Sequence, residues 1–382
     1  MRDIYALDTR LDLTPTARTA LLGGKAAGLG VMAAELGLPV PPGFTITTQV
    51  CKRFLSGGWP AGLDEELRTA MRRLEETLAA SSARASVIGM GTRRFGDRHN
   101  PLLVSVRSGA PVSMPGMMDT ILDLGLNDET ARGLASVSGD DAFAADCHRR
   151  FREMFTRIVG VAVVPADPWE QLRAAVQAVF RSWNSERALA YRRREHIPDD
   201  LGTAVTVQAM VFGNLGRDSA SGVLFTRNPS TGDPTLYGDV LFAAQGEDVV
   251  TGTHQTEPLT VLDQRLPDAG RELRQAAATL ERHFADLCDI EFTVERGTLW
   301  MLQVRAGKRT PQAALRIAAD MADAGDFPLS KADAVKRVAT ILANPPTISR
   351  RRDASARALA TGLAASPGIA TGEIATTAAA AL

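Results

Sequence analysis

The stretch from 289 to 305, DIEFTVERGTLWMLQVR, carries the clearest β-hairpin pattern in the chain. Polar and apolar residues alternate along both arms with the two-residue period of a strand. Arg296 and Gly297 separate the arms as a two-residue turn. The pattern therefore predicts two antiparallel strands joined by a tight turn.

One face of this hairpin carries candidate ligand groups. Asp289 and Glu291 share a face of the first arm, roughly 7 Å apart by strand geometry. If the second arm presents Gln303 and Arg305 to the same side, two carboxylates, an amide oxygen and a guanidinium converge. Such a set suits Mg²⁺ bound through oxygen, with an arginine for a phosphate. The alternative, which is the commoner outcome for such a pattern, is a solvent-exposed face whose charged residues form salt bridges.

The segments around the hairpin predict an α+β fold. Up to Pro198 the patterns are mainly helical, with a helical insert at about 126–197. After it, β-branched runs such as TAVTVQAMVFG predict a strand-rich lobe at about 200–310. A basic, proline-containing stretch at 344–361 indicates an exposed linker or a linker helix. We expect a helix-rich N-terminal lobe followed by a strand-rich C-terminal lobe.

Composition narrows the class of protein. The 382 residues carry a formal net charge of −1, so neither nucleic acid nor an anionic membrane is expected as a partner. The three cysteines are far apart and form no CxxC, which suggests neither a disulfide framework nor a zinc site. The sequence shows no signal-peptide core and no apolar run long enough for a membrane span. A cytoplasmic protein is expected.

The Gly-rich stretch GGKAAGLG, from 23 to 30, opens a helical pattern. Gly23 and Gly24 would let the backbone approach a ligand closely, and Lys25 places a positive charge at a helix start, where anions are favoured. It is not a Walker A loop, because GxxxxGK[ST] occurs nowhere in the chain. A phosphate site and a Gly/Ala-rich helix packed closely on a neighbour are equally good interpretations of this stretch alone.

A second candidate region begins where Arg107 ends a short apolar strand. A guanidinium there needs an anionic partner, and arginine can bind phosphate bidentately. The loop from 113 to 120 then places three methionines together with a proline and a glycine. Methionine-rich loops are adaptable apolar covers, so the loop is interpreted as a lid over a ligand. The alternative is a hydrophobic loop folded into the core.

A third candidate is Glu247, which follows Gly246 after an apolar run. It could place a carboxylate at a strand end near the metal, or it could lie in a plain surface turn. The five histidines are scattered without metal-ligand spacing, and only His254 lies beside a candidate site. Together these signals describe a nucleoside triphosphate held between a helical and a strand-rich lobe without a P-loop.

Six segments resemble the nucleotide-binding part of the pyruvate, phosphate dikinase family. They are LLGGKAAGLGVMAAELGLPVPPGFTITT, LVSVRSGAPVSMPGMMDTILDLGLND, VQAMVFGN, SGVLFTRNPSTGD, AAQGEDVVTG and DIEFTVERGTLWMLQVRAGKRTPQAALRIA, and they run through almost the whole chain. Phosphoenolpyruvate synthases and rifamycin phosphotransferases share the fold, but their segment after the arginine is built around a Ser-Ser-Ala-type stretch. The Gly-Ala-Pro-Val-Ser-Met-Pro-Gly-Met-Met found here is the dikinase form.

The resemblance implies an ATP-grasp fold over 1–343 that binds Mg²⁺ and ATP. In this family a three-part enzyme moves a phosphoryl group from ATP to pyruvate through a carrier histidine, with phosphate as the second acceptor. On the matching positions, the resemblance implies phosphate binding by Lys25 and Arg107, Mg²⁺ binding by Glu291 and Gln303 with Asp289 in support, and Arg305 on the transferring group. The nucleotide-binding residues that it implies are Gly24, Gly116 in the covering loop, Asp119, Thr120, Gln208, Met210 and Val211 beside adenine, and Glu247.

Two departures from the family pattern limit the function. His254 stands in a segment where the family usually reads Ile-Arg-Thr-Pro, so a phosphate contact is in doubt. The chain has no Thr-Ser-His-Ala carrier segment and no pyruvate-binding barrel, and 362–382 resembles the start of an incomplete phosphohistidine domain. We therefore expect a phosphohistidine carrier domain as partner. The alternatives are an ATP-binding module without turnover, or a phosphoenolpyruvate synthase-type or antibiotic phosphotransferase-type kinase.

Overall fold

The computed structural model describes residues 2–80, 93–114, 116–250, 254–325, 327–345 and 372–375. These residues form helices and antiparallel sheets, which confirms the predicted α+β class. The chain divides into two compact units. The first comprises Met1–Leu224, Gly238–Ala277 and Ile290–Arg305, and the second comprises Phe225–Tyr237, Ala278–Asp289 and Ala306–Leu382.

Strands form two five-stranded sheets and one small two-stranded sheet within the described residues. In chain order they are β1 Ile4–Ala6, β2 Gly43–Ile46, β3 Arg94–Phe95, β4 Pro101–Leu102, β5 Val104–Gly109, β6 Thr120–Leu124, β7 Ala204–Ala209, β8 Ala220–Phe225, β9 Tyr237–Phe242, β10 Glu257–Pro258, β11 Cys288–Glu295 and β12 Thr298–Ala306.

Helices flank these strands. In chain order they are α1 Pro15–Gly30, α2 Thr48–Gly57, α3 Leu63–Ala80, α4 Asp128–Ser138, α5 Asp141–Phe155, α6 Pro168–Ser182, α7 Glu186–Arg194, α8 Gly246–Val250, α9 Leu259–Arg265, α10 Pro267–Phe284, α11 Pro311–Asp323, α12 Lys331–Arg337 and α13 Ala339–Ala343. Across the part of the chain that the structure describes, no helix has the length and apolar character needed to cross a membrane.

The first sheet has the strand order β1-β2-β7-β5-β6, and β7 is its central strand. The sequence pattern placed the segment of β7 with the strand-rich half of the chain. Its pairing with β2 and β5, both from the first 110 residues, puts it in the other sheet. All six residues of β7 are buried because α1, α2 and α6 pack against it. A strand covered in this way reads as a continuous apolar, β-branched run.

The second sheet has the order β10-β9-β8-β11-β12 and contains the predicted hairpin. The hairpin is confirmed by β11 and β12, which flank the two-residue turn. Arg296 and Gly297 have φ angles of 45° and 80°. Positive φ at both central residues is the type I′ pattern, whose twist matches the two strands. The turn is anchored because the Gly297 N–H donates to the Asp218 carbonyl at 2.8 Å.

The second unit has its own small core. Residues of α11 and α12, such as Ile317, Met321 and Ala334, pack with Leu287 in one buried cluster. Of the predicted linker at 344–361, only 344 and 345 belong to the described residues, and the rest lies outside them. The segment predicted to begin a carrier domain, 362–382, is described only at 372–375, where all four residues are exposed.

The glycines of α1 allow this helix to touch two strands. Gly23 has a φ of 74°, and a Cβ built there would lie 1.8 Å from the Gly109 carbonyl oxygen at the end of β5. A Cβ on Gly28 would lie 3.0 Å from the Val304 carbonyl oxygen of β12. Of the two interpretations of GGKAAGLG, close packing therefore explains these two glycines, and it also places Lys25 beside the end of β5.

A Gly23→Ala substitution is expected to lower the free energy of unfolding by about 3 kcal/mol, because it adds a backbone clash to an unfavourable positive φ. Gly30→Ala is the matched control on the same helix, since Gly30 has a helical φ of −63° and its Cβ would lie 3.6 Å from the nearest atom. The control should leave stability unchanged or slightly raised. Urea unfolding followed by circular dichroism measures both, and equal midpoints for the two variants would contradict the close-packing role of Gly23.

Candidate nucleotide site

A cleft of about 240 Å³ in the first unit is lined by residues of both large sheets and of the turn before α8. Its walls include the end of β7 together with residues from within β5, β8 and β11. Seven of the sequence-predicted site residues line it: Arg107, Thr120, Gln208, Met210, Val211, Glu247 and Glu291.

Arg107 joins the two sheets at one wall of the cleft. Its Nη1 donates to the Leu302 carbonyl at 3.1 Å, and its Nη2 donates to Glu291 Oε2 at 3.2 Å. The other carboxylate oxygen of Glu291 accepts from Gln303 Nε2 at 2.8 Å. The arginine side chain is only 12% exposed and that of Glu291 is 31% exposed. The carboxylate therefore bridges an arginine and an amide while part of it still faces the cleft.

Lys25 lies near this wall, although it is not among the residues that line the cleft. The pKa of Lys25 is lowered to about 7, chiefly by burial and further by the nearby charges of Arg107 and Arg305, while Glu291 partly opposes the shift. Lys25 is thus within electrostatic range of two further cations and one carboxylate. An excess of positive charge in a partly desolvated wall favours a polyanionic ligand.

The oxygen atoms of Glu291 and Gln303 are the hard donors that Mg²⁺ prefers, so the residues fit that ion. Asp289 lies two residues before Glu291 on β11 and is 8% exposed. Among the described residues there is no cluster of three or more acidic, histidine or cysteine side chains that could hold a metal alone. A magnesium ion here would complete its shell with phosphate oxygens and water, as is common for this ion.

The segment expected beside adenine follows the end of β7. Met210 and Val211 line the cleft, and the Met210 N–H donates to the Leu103 carbonyl at 2.9 Å. Gln208 is 1% exposed, and its side-chain amide donates to the Pro41 carbonyl at 2.9 Å. Its side-chain amide group is therefore engaged with the loop before β2. Only the other atoms of Gln208 are available to a ligand.

Gly24 and the methionine-rich loop make contacts within the protein itself. The Gly24 N–H already donates to the Ala110 carbonyl at 2.9 Å. In the loop, Met114 packs in a buried cluster with Trp183 and Ala188, as the folded-in alternative predicts for this one residue.

The outer part of the same loop is largely absent from the cleft lining. Asp119 forms an ion pair with Arg187 of α7, and Gly116, with a φ of 71°, is exposed. Thr120 alone of the 116–120 residues lines the cleft. His254 is exposed and is not part of its lining.

Two further residues of the site were not predicted from the sequence. Gln245 lines the cleft, and its Nε2 donates to Oδ2 of the buried Asp123 at 3.0 Å. The pKa of Asp123 is raised to about 7, chiefly by burial. The one signal in the sequence was that an acidic residue, Asp123, stands inside the apolar strand pattern of β6. Its partner Gln245 lies on a distant segment, so the pair could not be recognised. Behind them, Arg150 Nη1 donates to Asp248 Oδ1 at 2.9 Å.

Comparison with known proteins gives one consistent family. A family model described as "Pyruvate phosphate dikinase, AMP/ATP-binding domain" matches residues 19–272 and 263–326. The pyruvate, phosphate dikinase of Rhizobium meliloti (strain 1021) is 44% identical over 92% of this chain and 44% of its own length. Pyruvate, phosphate dikinase 1, chloroplastic, of Oryza sativa subsp. japonica is 43% identical over 94% of this chain and 41% of its length.

The pyruvate, phosphate dikinase of Clostridium symbiosum is 40% identical over 93% of this chain and 45% of its own length. The chain therefore spans less than half the length of each of these curated relatives. The matches cover the segments that build the cleft, including Lys25, Arg107 and the hairpin. The chain belongs to the pyruvate, phosphate dikinase family, and its matched part is that family's AMP/ATP-binding domain.

Proposed function

We propose that this chain binds Mg-ATP in the cleft and transfers a phosphoryl or pyrophosphoryl group to the histidine of a carrier domain. This is the first partial reaction of a pyruvate, phosphate dikinase: when the β- and γ-phosphoryl groups move together to the histidine, the bond between the α- and β-phosphates breaks and AMP leaves. The observation that carries the proposal is that Lys25 lies within electrostatic range of Arg107, Arg305 and Glu291, and that Arg107 and Glu291 form an ion pair that lines the cleft. We further propose that the two sheets flanking the cleft form an ATP-grasp fold over 1–343.

The roles follow from charge and position. Lys25 and Arg107 would bind and orient the phosphates, and Arg305 would stabilise the charge of the transferring group. Mg²⁺, held by Glu291 and Gln303 with Asp289 in support, would neutralise the phosphate charge during the transfer. Met210, Val211 and Glu247 would hold the nucleoside end; we also propose that Gly24, Gly116, Asp119, Thr120 and Gln208 help to bind the nucleotide. Little covalent chemistry falls to this chain, since positioning and charge neutralisation lower the barrier.

The experiment mixes the purified chain with Mg-ATP and a separately produced carrier-histidine domain. Mass spectrometry and thin-layer chromatography then follow phosphohistidine and AMP. A carrier domain whose histidine is replaced by alanine is the control and should stay unlabelled. If ATP binds but neither product forms, the chain is a nucleotide-binding module without turnover, and the transfer proposal fails.

A further inference from the structure

Asp123 occupies an unusual position near the end of β6. It is 1% exposed, and its φ of 56° lies in the left-handed region. Outside glycine this conformation is best tolerated by Asn and Asp, and it persists where the surroundings fix it. A buried, ionisable side chain held in such a backbone is a candidate for a role beyond packing.

The carboxyl of Asp123 has one hydrogen bond to a segment far along the chain. Gln245 Nε2 donates to its Oδ2 at 3.0 Å, while Oδ1 has no hydrogen-bond partner among the described residues. Gln245 is itself 3% exposed. Its backbone N–H donates to Asp248 Oδ2 at 3.0 Å, and the Asp248 N–H donates back to the Gln245 carbonyl at 3.0 Å.

These bonds close the turn from 245 to 248, which carries Glu247 to the nucleotide cleft. Arg150 secures the far end of the turn through Asp248 at 2.9 Å. At the near end Asp123 makes the contact, because its carboxyl accepts a hydrogen bond from the Gln245 side chain. The position of Glu247 therefore depends on two buried side chains, Asp123 and Gln245, that hold the start of the turn.

We propose that Asp123 is a positioning residue for the nucleotide site: its hydrogen bond to Gln245 fixes the turn that presents Glu247, and ionisation of its carboxyl loosens that turn and weakens nucleotide binding. The proposal rests on the proposed function only where it concerns the nucleotide. Its structural part concerns the nucleotide-free protein.

The charges around Asp123 give the direction of the effect. Its pKa is raised to about 7 first by burial, with the Gln245 hydrogen bond opposing and Glu247 adding to the rise. The carboxyl is therefore mostly neutral at about pH 6 and mostly ionised at about pH 8.5. An ionised carboxyl would be buried with one hydrogen bond and would repel Glu247. The charged and titratable groups that act on it are Asp146, Cys147 and Arg150 of α5 together with Glu247 of α8. Burial raises the pKa of the Cys147 thiol, so that it stays neutral.

The raised pKa of Asp123 also fixes how its contribution to stability changes with pH. Because the folded pKa lies above the ordinary value of 3.8, this contribution is full below pH 3.8 and is lost as the pH rises through about 7. The turn should thus be least ordered above pH 7. An added negative charge beside Glu247 would also disfavour a polyanionic nucleotide in the same range.

Two substitutions at one position separate the hydrogen bond from the charge. Asp123→Asn keeps an acceptor for Gln245 and tolerates the positive φ, but it cannot ionise. Asp123→Gly removes the acceptor and also tolerates the backbone. Gln245→Met removes the same hydrogen bond from the other side, so its effect should not add to that of Asp123→Gly. Asp64→Asn, at a side chain that is 51% exposed, is the surface control.

Two measurements are made between about pH 6 and pH 8.5, on either side of the raised pKa. Amide hydrogen exchange follows residues 245–248 in the nucleotide-free protein, and calorimetry gives the Mg-ATP dissociation constant. In the unmodified protein, exchange should accelerate beyond its intrinsic pH dependence, and affinity should fall about three- to tenfold more than in Asp123→Asn. Asp123→Gly should show roughly tenfold faster exchange in the turn at every pH, and Asp64→Asn no change.

Each outcome bears on a different claim. If Asp123→Asn shows the same excess acceleration and the same loss of affinity as the unmodified protein, or if Asp123→Gly leaves the turn equally protected, the inference is wrong while the proposed function stands. If no variant binds Mg-ATP, the proposed function fails, and the exchange of the turn alone decides whether Asp123 controls it. Should Asp123→Gly fail to fold by circular dichroism, Gln245→Met still tests the hydrogen bond and Asp123→Asn still tests the charge.

Discussion

Replacing Arg107 with alanine should weaken Mg-ATP binding about tenfold to a hundredfold and slow transfer to the carrier histidine by roughly two or more orders of magnitude. The guanidinium binds Glu291 and the Leu302 carbonyl, so it is held in one orientation at the cleft wall. Hydrogen bonds to charged groups contribute about 1.5–3 kcal/mol, and a fixed cation gains more as charge develops in the transition state. The transfer rate should therefore suffer more than the affinity.

Calorimetry for Mg-ATP and single-turnover labelling of the carrier histidine measure the two effects. Arg107→Lys tests geometry, because it keeps the charge but loses the planar fork, and it should recover affinity better than rate. Arg149→Ala, at an α5 side chain that is 55% exposed, should change neither quantity. An Arg107→Ala protein with unaltered affinity and rate would place the phosphates elsewhere than beside Arg107.

Local features of the fold were predictable from the sequence, and the hairpin shows why. Its alternation and its two-residue turn lie within one short stretch, so the strands and the turn type follow from neighbouring residues. The sheet to which β7 belongs could not be predicted in the same way. Its run of buried residues indicates a strand but not which strands it joins, and its partners β2 and β5 lie far away in the sequence.

For the candidate site, too, local motifs were predictable from the sequence and long-range contacts were not. The charged residues Lys25, Arg107 and Glu291 could be named from their motifs, and the structure brings them within electrostatic range of one another. Gln208 could be assigned from the sequence to the segment expected beside adenine, but only the fold shows that its side-chain amide binds the Pro41 carbonyl. The Asp123–Gln245 bond was invisible because it joins residues 122 positions apart. Long-range polar pairs leave no periodic pattern in a single sequence.

Lys25 should make nucleotide binding depend on pH and should couple it to proton uptake. Its pKa of about 7 means that the amine of the nucleotide-free protein is about half protonated near neutrality. Bound phosphates favour the charged form and raise this pKa, so binding takes up a fraction of a proton between about pH 7 and 8.5. By linkage, Mg-ATP affinity should then fall as the pH rises above about 7.

The free energy of unfolding should change with pH in the direction opposite to the affinity, because the pKa of Lys25 in the folded protein lies below the ordinary value of 10.5. The unfolded chain holds the proton up to that pH, so the cost of burying the charged amine is greatest below about pH 7 and is relieved as the pH rises toward 10.5. The nucleotide-free protein should thus gain stability from this group on going from about pH 6.5 to pH 9. Thermal unfolding of the unmodified protein and of Lys25→Met across this range isolates the contribution.

Lys25→Met should reduce Mg-ATP affinity about tenfold or more near pH 6.5 and reduce transfer by about two orders of magnitude, because it removes a cation that lies close to Arg107 and Arg305. Calorimetry in buffers of different ionisation enthalpy counts the protons taken up, and the count should fall in Lys25→Met while the exposed Lys52→Met behaves as the unmodified protein. An Asp123→Asn background removes the second group whose pKa lies at about 7, so the difference in proton uptake between this background with and without Lys25→Met belongs to Lys25. Uptake that persists undiminished in the Lys25→Met, Asp123→Asn protein would show that neither buried group senses the nucleotide, and the phosphates would then have to lie away from the wall that these cations form.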